Sequence, residues 1–189
     1  FLLGIYAQFK VTSTFKRYSQ VASSRGLTGK EAARLVLDGG GLYNVGIQVG
    51  GGTLSDHYDP RSRQLSLSPD VGNSNSLAAL GVAAHEAGHA LQHAQGYAAF
   101  KIRSALVPVA NIGSNLGILL FFVGLIFGAS QGIPWLMNIG ILLFSAAVLF
   151  TLVTLPVEFN ASHRAVKELE NKSILLGSEL AGAKKVLDA

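Results

Sequence analysis

The longest feature of the hydrophobic pattern is an interval from Ser104 to Val157 that contains no Asp, Glu, Lys or Arg. It is too long for one membrane span and too apolar for a soluble domain of this size. A polar and helix-breaking group at residues 129–134 divides it. We therefore predict transmembrane helices at 106–128 and 135–155, each near the ~20 residues that a bilayer needs. The alternative is two buried core helices, but the rest of the chain has too little amphipathic helix to cover both.

A small extramembrane module precedes this interval, at residues 28–75. Thr28 and Glu31 have the spacing of a capping box, and the apolar residues after them predict a helix. Apolar and small or polar residues alternate at 45–50 and again at 65–68. This period of two predicts two short strands.

Between the module and the apolar interval lies the sequence HEAGH, an HExxH motif. On a helix, His85 and His89 lie one turn apart on the same face, close enough for both rings to reach one Zn²⁺. Glu86 lies about 100° round the helix, where it can contact a water molecule without being a ligand. The alternative is a chance match with packed histidines. The apolar run at 77–84 favours a buried helix over 76–97, in which these polar side chains need a partner such as a metal.

His93 extends the histidines into a stripe, but it does not fit as the third ligand. In a continuous helix His85 and His93 are about 12 Å apart along the axis, too far to share one ion. A pair of His89 and His93 is geometrically possible, but it leaves Glu86 one turn away from the water that it should activate. The metzincin pattern is also absent, because Gln92 stands where that pattern has glycine. The third ligand must therefore come from elsewhere.

Glu158 is the candidate for that ligand, because a transmembrane hairpin would bring it back to the membrane face that carries HExxH. Pro156 fits the start of the following helix or a kink in it, and Ser162 shares a face with Glu158 at i, i+4. A site of two histidines and one glutamate leaves the fourth position for water, as catalytic zinc requires. Ser162 would then orient a ligand. The alternative is a solvated acid that pairs with Arg164 or Lys167.

A polar turn at residues 56–60 separates the two predicted strands. His57 or Tyr58 in this segment could stabilise the oxyanion that forms during hydrolysis. The alternative is a turn held by Asx hydrogen bonds.

Composition and charge add the class and the compartment. The 189 residues carry a mean hydropathy of +0.39 and only 14% charged residues, which indicates one domain with a membrane portion. The net charge of +4 is mild and requires no nucleic acid, and no P-loop or GxGxxG supports a nucleotide. The absence of cysteine excludes disulfides and fits a cytosolic face. Basic residues flank the hairpin whereas its loop is uncharged, which places the zinc site on the cytoplasmic side; they are Lys101, Arg103, Arg164 and Lys167.

Four blocks of the sequence together resemble the bacterial membrane zinc metallopeptidases of the YugP type. In chain order they are SDHYDPRSRQLSLS, GVAAHEAGHALQHAQGY, PVANIGS and LPVEFNASHRA, and the resemblance covers most of the chain from Gly39 onward. It implies a gluzincin arrangement similar to that of the HtpX and CAAX-prenyl protease group. By that resemblance His85, His89 and Glu158 bind the metal. Glu86 is then the catalytic acid and base.

The chain departs from that group in two ways. The HtpX-like pattern has an aspartate four residues after the third ligand, whereas this chain has Ser162, so the residue that orients the ligand histidines stays open. The family also has further apolar helices at its ends, whereas only residues 1–9 remain here of a candidate first span. Because residue 1 is Phe and not Met, we expect the chain to be part of a longer protein.

The predicted architecture is a mainly α-helical membrane protein with one domain. Its parts are an N-terminal helix at 1–27, the two-strand module at 28–75, the HExxH helix at 76–97, the spans at 106–128 and 135–155, and C-terminal helices with the third ligand at 156–189.

The predicted function is that of a membrane-anchored zinc endopeptidase in the bacterial inner membrane, with several spans and one Zn²⁺ per chain. Its expected partners are a peptide or protein substrate and the lipid bilayer. Two alternatives stay open. A zinc-binding scaffold or adaptor would leave Glu86 without a structural duty, and an intramembrane protease of the site-2 type would hold its zinc within the bilayer.

Overall fold

The computed structural model describes residues 2–52, 55–131 and 135–189. Residues 132–134 of the predicted divider between the spans lie outside the described residues. The chain is mainly helical, with these elements in order: α1 (Leu2–Tyr18), α2 (Gly29–Gly39), β1 (Gly46–Val49), β2 (His57–Asp59), β3 (Gln64–Leu67), α3 (Pro69–Gly72), α4 (Leu77–Ala94), α5 (Ala98–Gln131), α6 (Trp135–Asn171) and α7 (Gly177–Leu187). It divides into two compact units, of which unit 1 comprises Phe1–Gln95 and Phe159–Ala189 and unit 2 comprises Gly96–Glu158.

The sheet of unit 1 corrects the prediction of two strands, because the described residues form three. Their order is β1-β3-β2, with β1 parallel to β3 and β2 antiparallel to it. The parallel pairing excludes a direct hairpin between the two predicted strands. β2 lies in the segment that was predicted as a turn. A strand of only three residues is too short to show a recognisable alternation.

The turn between β2 and β3 is held by the Asx hydrogen bonds that the sequence suggested as one role for this segment. The carboxylate of Asp59 accepts from the backbone N–H of Arg61 at 2.9 Å and from the hydroxyl of Ser62 at 2.7 Å. These bonds lower the pKa of Asp59. Arg63 closes the turn with a φ of 52°, in the left-handed region. The short connection therefore sets the antiparallel register of β2 against β3.

Helix α2 begins with the predicted capping box, which the structure confirms. The side chain of Thr28 accepts from the backbone of Glu31, and the carboxylate of Glu31 accepts from the backbone of Thr28 at 2.8 Å. The apolar face of α2 is buried in the core of unit 1; its members are Ala32, Ala33, Val36 and Leu37.

Helix α4 lies in the centre of unit 1, where 13 of its 18 residues are buried. Ser76 caps its start by accepting a hydrogen bond from the N–H of Ala79. Two buried residues of this helix are polar: His89 is 4% exposed, and Gln92 is 0% exposed. Both follow the apolar part of the helix, so their polar atoms need partners inside the protein.

Unit 2 contains α5 and the first part of α6. By length and composition, both helices can cross a membrane. They extend beyond the predicted spans at 106–128 and 135–155. Of the two roles predicted for Pro156, the structure has the one within a helix, because α6 continues through it to Asn171. A proline there removes one backbone hydrogen bond without ending the helix.

Glycines allow α5 and α6 to approach closely within unit 2. A Cβ atom added to Gly140 would lie 2.5 Å from the backbone nitrogen of Phe121 and 2.7 Å from the carbonyl oxygen of Gly117. Close backbone approach at small residues is how apolar helices gain van der Waals contact in a membrane.

We expect Gly140→Ala to destabilise unit 2 by about 1–3 kcal/mol, because the new methyl group overlaps backbone atoms that cannot rotate away. Gly113→Ala is the matched control, since its Cβ would lie 3.5 Å from the carbonyl oxygen of Leu143, an ordinary contact. The free energy of unfolding in detergent micelles measures both variants. Equal effects at the two positions would contradict the close approach.

Candidate metal centre

Three side chains that are distant in the sequence bring their ligand atoms together. One atom each from His85, His89 and Glu158 forms a group whose members all lie within 4.8 Å of one another. His89 is buried, whereas His85 and Glu158 are half-buried. The imidazole centroids of the two histidines are 4.8 Å apart with an interplanar angle of 83°. One turn of α4 thus presents both rings to the same point.

The part of α6 that belongs to unit 1 packs directly on α4. A Cβ atom at Gly88 would lie 2.8 Å from the carbonyl oxygen of Ala161, so only glycine permits this approach. One residue further, the hydroxyl of Ser162 lies 3.1 Å from Nδ1 of His85. Glu158 precedes Ser162 by one turn on the same helix and immediately precedes unit 1. The helix that carries Glu158 is therefore held against α4 three residues further on, at Ala161.

Both histidines contact protein side chains through Nδ1, so Nε2 is their candidate ligand atom. Nδ1 of His85 contacts Ser162, and Nδ1 of His89 lies 2.9 Å from Oε1 of Gln92. A histidine ligand commonly uses its second nitrogen in this way, since the hydrogen bond holds the ring in position.

This donor set fits Zn²⁺. Two imidazole nitrogens and one carboxylate oxygen are the ligands of many catalytic zinc sites, which keep a fourth position open. Tetrahedral Zn²⁺ needs ligand atoms about 3.4 Å apart. The ligand atoms of this group, all within 4.8 Å of one another, lie close to that spacing.

The comparison with known proteins agrees with the chemistry of this group. The family model described as "Putative neutral zinc metallopeptidase" matches residues 1–189. The chain belongs to this family. It is 47% identical over 187 residues to the "Putative membrane protease YugP" of Bacillus subtilis (strain 168), a match that covers 99% of this chain and 81% of the relative. No solved structure matches the chain. The resemblance found in the sequence is thereby confirmed.

The carboxylate of Glu158 pairs with a basic residue other than the two that the sequence suggested. Within unit 2, the guanidinium of Arg103 lies 2.8 Å from Oε1 of Glu158. Arg164, one of the two partners that the sequence suggested for Glu158, donates to Asn160 and Gln95. A carboxylate can bind arginine through one oxygen and a metal through the other. The ion pair therefore orients Glu158 without excluding it as a ligand.

His93 and Tyr58 form a separate pair. The hydroxyl of Tyr58 lies 2.9 Å from Nδ1 of His93, and both residues line a cavity of about 260 Å³ in unit 1. Burial raises the pKa of Tyr58. His93 is not a member of the three-residue ligand group. The exposed His57 contacts the carbonyl oxygen of Ser55 through Nδ1 at 2.7 Å. The structure thus shows local contacts for these three residues, and the oxyanion role stays a prediction.

Sequence reasoning missed Gln92 as a partner of His89, although one signal was available. A glutamine three residues after a predicted ligand lies near it on the helix, and a buried amide must find partners. Arg103 carried no such signal, because its pairing with Glu158 depends on how α5 and α6 pack within unit 2.

We expect Gly88→Ala to lower zinc affinity about tenfold or more, because α6 must move away from α4 and carries its ligand with it. Gly81→Ala on the same helix is the matched control. Its Cβ would lie 3.5 Å from Ala183, an ordinary contact, and alanine favours a helix by up to about 1 kcal/mol. Competition with a chromophoric chelator measures zinc affinity. A loss of affinity in both variants, or in neither, would contradict the role of Gly88.

Proposed function

We propose that this protein is a membrane-anchored zinc endopeptidase. His85, His89 and Glu158 hold the metal, and Glu86 is the general base and acid. The observation that supports this most is the convergence of the three ligand atoms within 4.8 Å, two of them on the HExxH motif that contains Glu86. The family to which the chain belongs supports the same chemistry.

The reaction divides between the metal and Glu86. Bound Zn²⁺ supplies Lewis acidity and makes hydroxide available near neutral pH. Glu86 follows His85 by one residue, so its carboxylate points about 100° away from that ligand round the helix. It accepts a proton from the attacking water and then donates that proton to the amine that leaves when the C–N bond breaks. Glu86 therefore ends the cycle in its original state.

The chain's own residues also keep the ligands in place during this cycle. Ser162 and Gln92 each contact Nδ1 of one ligand histidine. The guanidinium of Arg103 pairs with Glu158. Since these partners lie on elements that also form the packed core or the long helices, the site is formed before a substrate arrives, which lowers the cost of ordering it.

We expect Glu86→Gln to reduce casein cleavage by about 10²–10⁴-fold while zinc stays bound, because the amide cannot accept the proton. His89→Ala is the contrasting variant, since it should lose both zinc and cleavage. Peptide release and metal content of the purified protein measure the two effects. Unchanged cleavage by Glu86→Gln would refute the assignment. Stoichiometric zinc without cleavage in the native protein would instead favour a scaffold or adaptor.

We also propose that α5 and the apolar part of α6 cross the bacterial membrane and that both outer ends face the cytoplasm. The side chains along both helices are apolar and largely exposed, as a lipid environment requires. The relative from Bacillus subtilis carries the name of a membrane protease. Basic residues flank the apolar interval, and its middle has no charge, a pattern typical of cytoplasmic ends.

We expect Ser130→Cys and Ser178→Cys to differ in their labelling by a membrane-impermeant maleimide. The chain has no cysteine of its own, so each variant reports one position. In intact cells the reagent should label position 130, near the middle of the apolar interval, whereas it should label the exposed position 178 only after lysis. The reverse pattern would invert the orientation, and equal labelling of both in intact cells would refute a single hairpin.

A further inference from the structure

A line of hydrogen bonds runs from the buried ligand His89 to the edge of unit 1. Oε1 of Gln92 lies 2.9 Å from Nδ1 of His89, and Nε2 of Gln92 donates to Oδ1 of Asn160 at 2.9 Å. The same oxygen of Asn160 accepts from Nε of Arg164 at 2.7 Å. Arg164 also donates to the side-chain oxygen of Gln95 at 2.5 Å. The line therefore connects α4 with α6.

The direction of every bond in this line follows from Arg164. A guanidinium can only donate, so the atom of Asn160 that faces it must be the carbonyl oxygen. Because that oxygen also faces Gln92, Gln92 must present its NH₂ group to Asn160. The carbonyl oxygen of Gln92 then faces His89, and an amide oxygen can only accept a hydrogen bond. His89 must therefore carry its hydrogen on Nδ1.

We propose that Gln92, Asn160 and Arg164 form a polarity relay that keeps His89 in the Nδ1–H tautomer and directs its Nε2 toward the metal. The three are positioning residues, because none of them is in the ligand group. The metal part of this proposal rests on the proposed function. The tautomer part does not, since it concerns the imidazole of the protein alone.

The two ligand histidines differ in this respect. His85 contacts the hydroxyl of Ser162, which can either donate or accept, so that contact leaves both tautomers open. His89 contacts the amide of Gln92, whose orientation is set by Asn160 and Arg164. Gln92 is 0% exposed, so a flipped amide is costly. In the flipped orientation its oxygen would face the oxygen of Asn160, and water could not reach these buried atoms to satisfy them.

A pair of substitutions at position 160 separates polarity from packing. Asn160→Asp keeps an acceptor toward both Gln92 and Arg164, so it should preserve the relay. Asn160→Leu has a similar volume but offers no acceptor, so the amide of Gln92 should no longer be held in one orientation. Gln92→Leu removes the contact with His89 itself, and it should lower zinc affinity about 10–100-fold.

Two measurements follow these variants. The ¹⁵N chemical shifts of the two ring nitrogens of His89, recorded without metal at about pH 8, report its tautomer directly. Chelator competition reports zinc affinity. We expect native protein and Asn160→Asp to show the Nδ1–H signature and similar zinc affinity. Asn160→Leu should show a tautomer mixture and weaker binding.

Three results would overturn the relay: an Nε2–H signature in the native protein, no change in Asn160→Leu, or equal damage in Asn160→Asp and Asn160→Leu. If Asn160→Leu does not fold, Arg164→Met replaces it, because the half-buried Arg164 sets the direction of the line. Native protein that shows the Nδ1–H signature but binds no zinc would refute the proposed function and leave the relay standing.

Discussion

The close contact between α4 and α6 at Gly88 and Ala161 is the constraint on which the candidate site depends. Two ligands lie on α4 and come together by helical spacing alone. The third lies on α6, and only the packing of one helix on the other brings it near. A Cβ atom at position 88 would lie 2.8 Å from the carbonyl oxygen of Ala161. The helices can therefore lie this close only because residue 88 is glycine, which has no Cβ. Position 88 lies inside the HExxH motif, so the same five residues supply two candidate ligands, the proposed base and the contact with the helix that carries the third candidate ligand.

Burial of polar groups in α4 is the second constraint. A buried polar group without a partner costs about 1–3 kcal/mol, and both His89 and Gln92 lie in the core. Their mutual contact and the line through Asn160 offset this cost within the protein. A satisfied network of this kind rigidifies the core and restricts the orientation of each member. A metal site benefits from that restriction, because its ligands need a defined direction.

The sequence allowed much of the local structure to be predicted. The capping box at Thr28 and Glu31 formed as expected, because its bonds join residues three positions apart. The small sheet was harder to predict. Its strand β2 has only three residues, and it pairs with β3 where the sequence predicted a turn. The parallel pairing of β1 with β3 joins segments 18 positions apart in register, from Gly46 to Gln64, and no local pattern encodes it.

The sequence by itself determined the chemistry that is available: a pair of histidines one turn apart, a glutamate beside them, long apolar helices and membership of a zinc peptidase family. These properties depend on helical periodicity and on composition, which are local. Only the tertiary structure decided which partners these groups have. The pairing of Glu158 with Arg103, of His85 with Ser162 and of His89 with Gln92 depends on the packing of side chains from different turns or helices. Such contacts arise from the distance and rotation between elements, and neither quantity is written in the spacing of residues along one element.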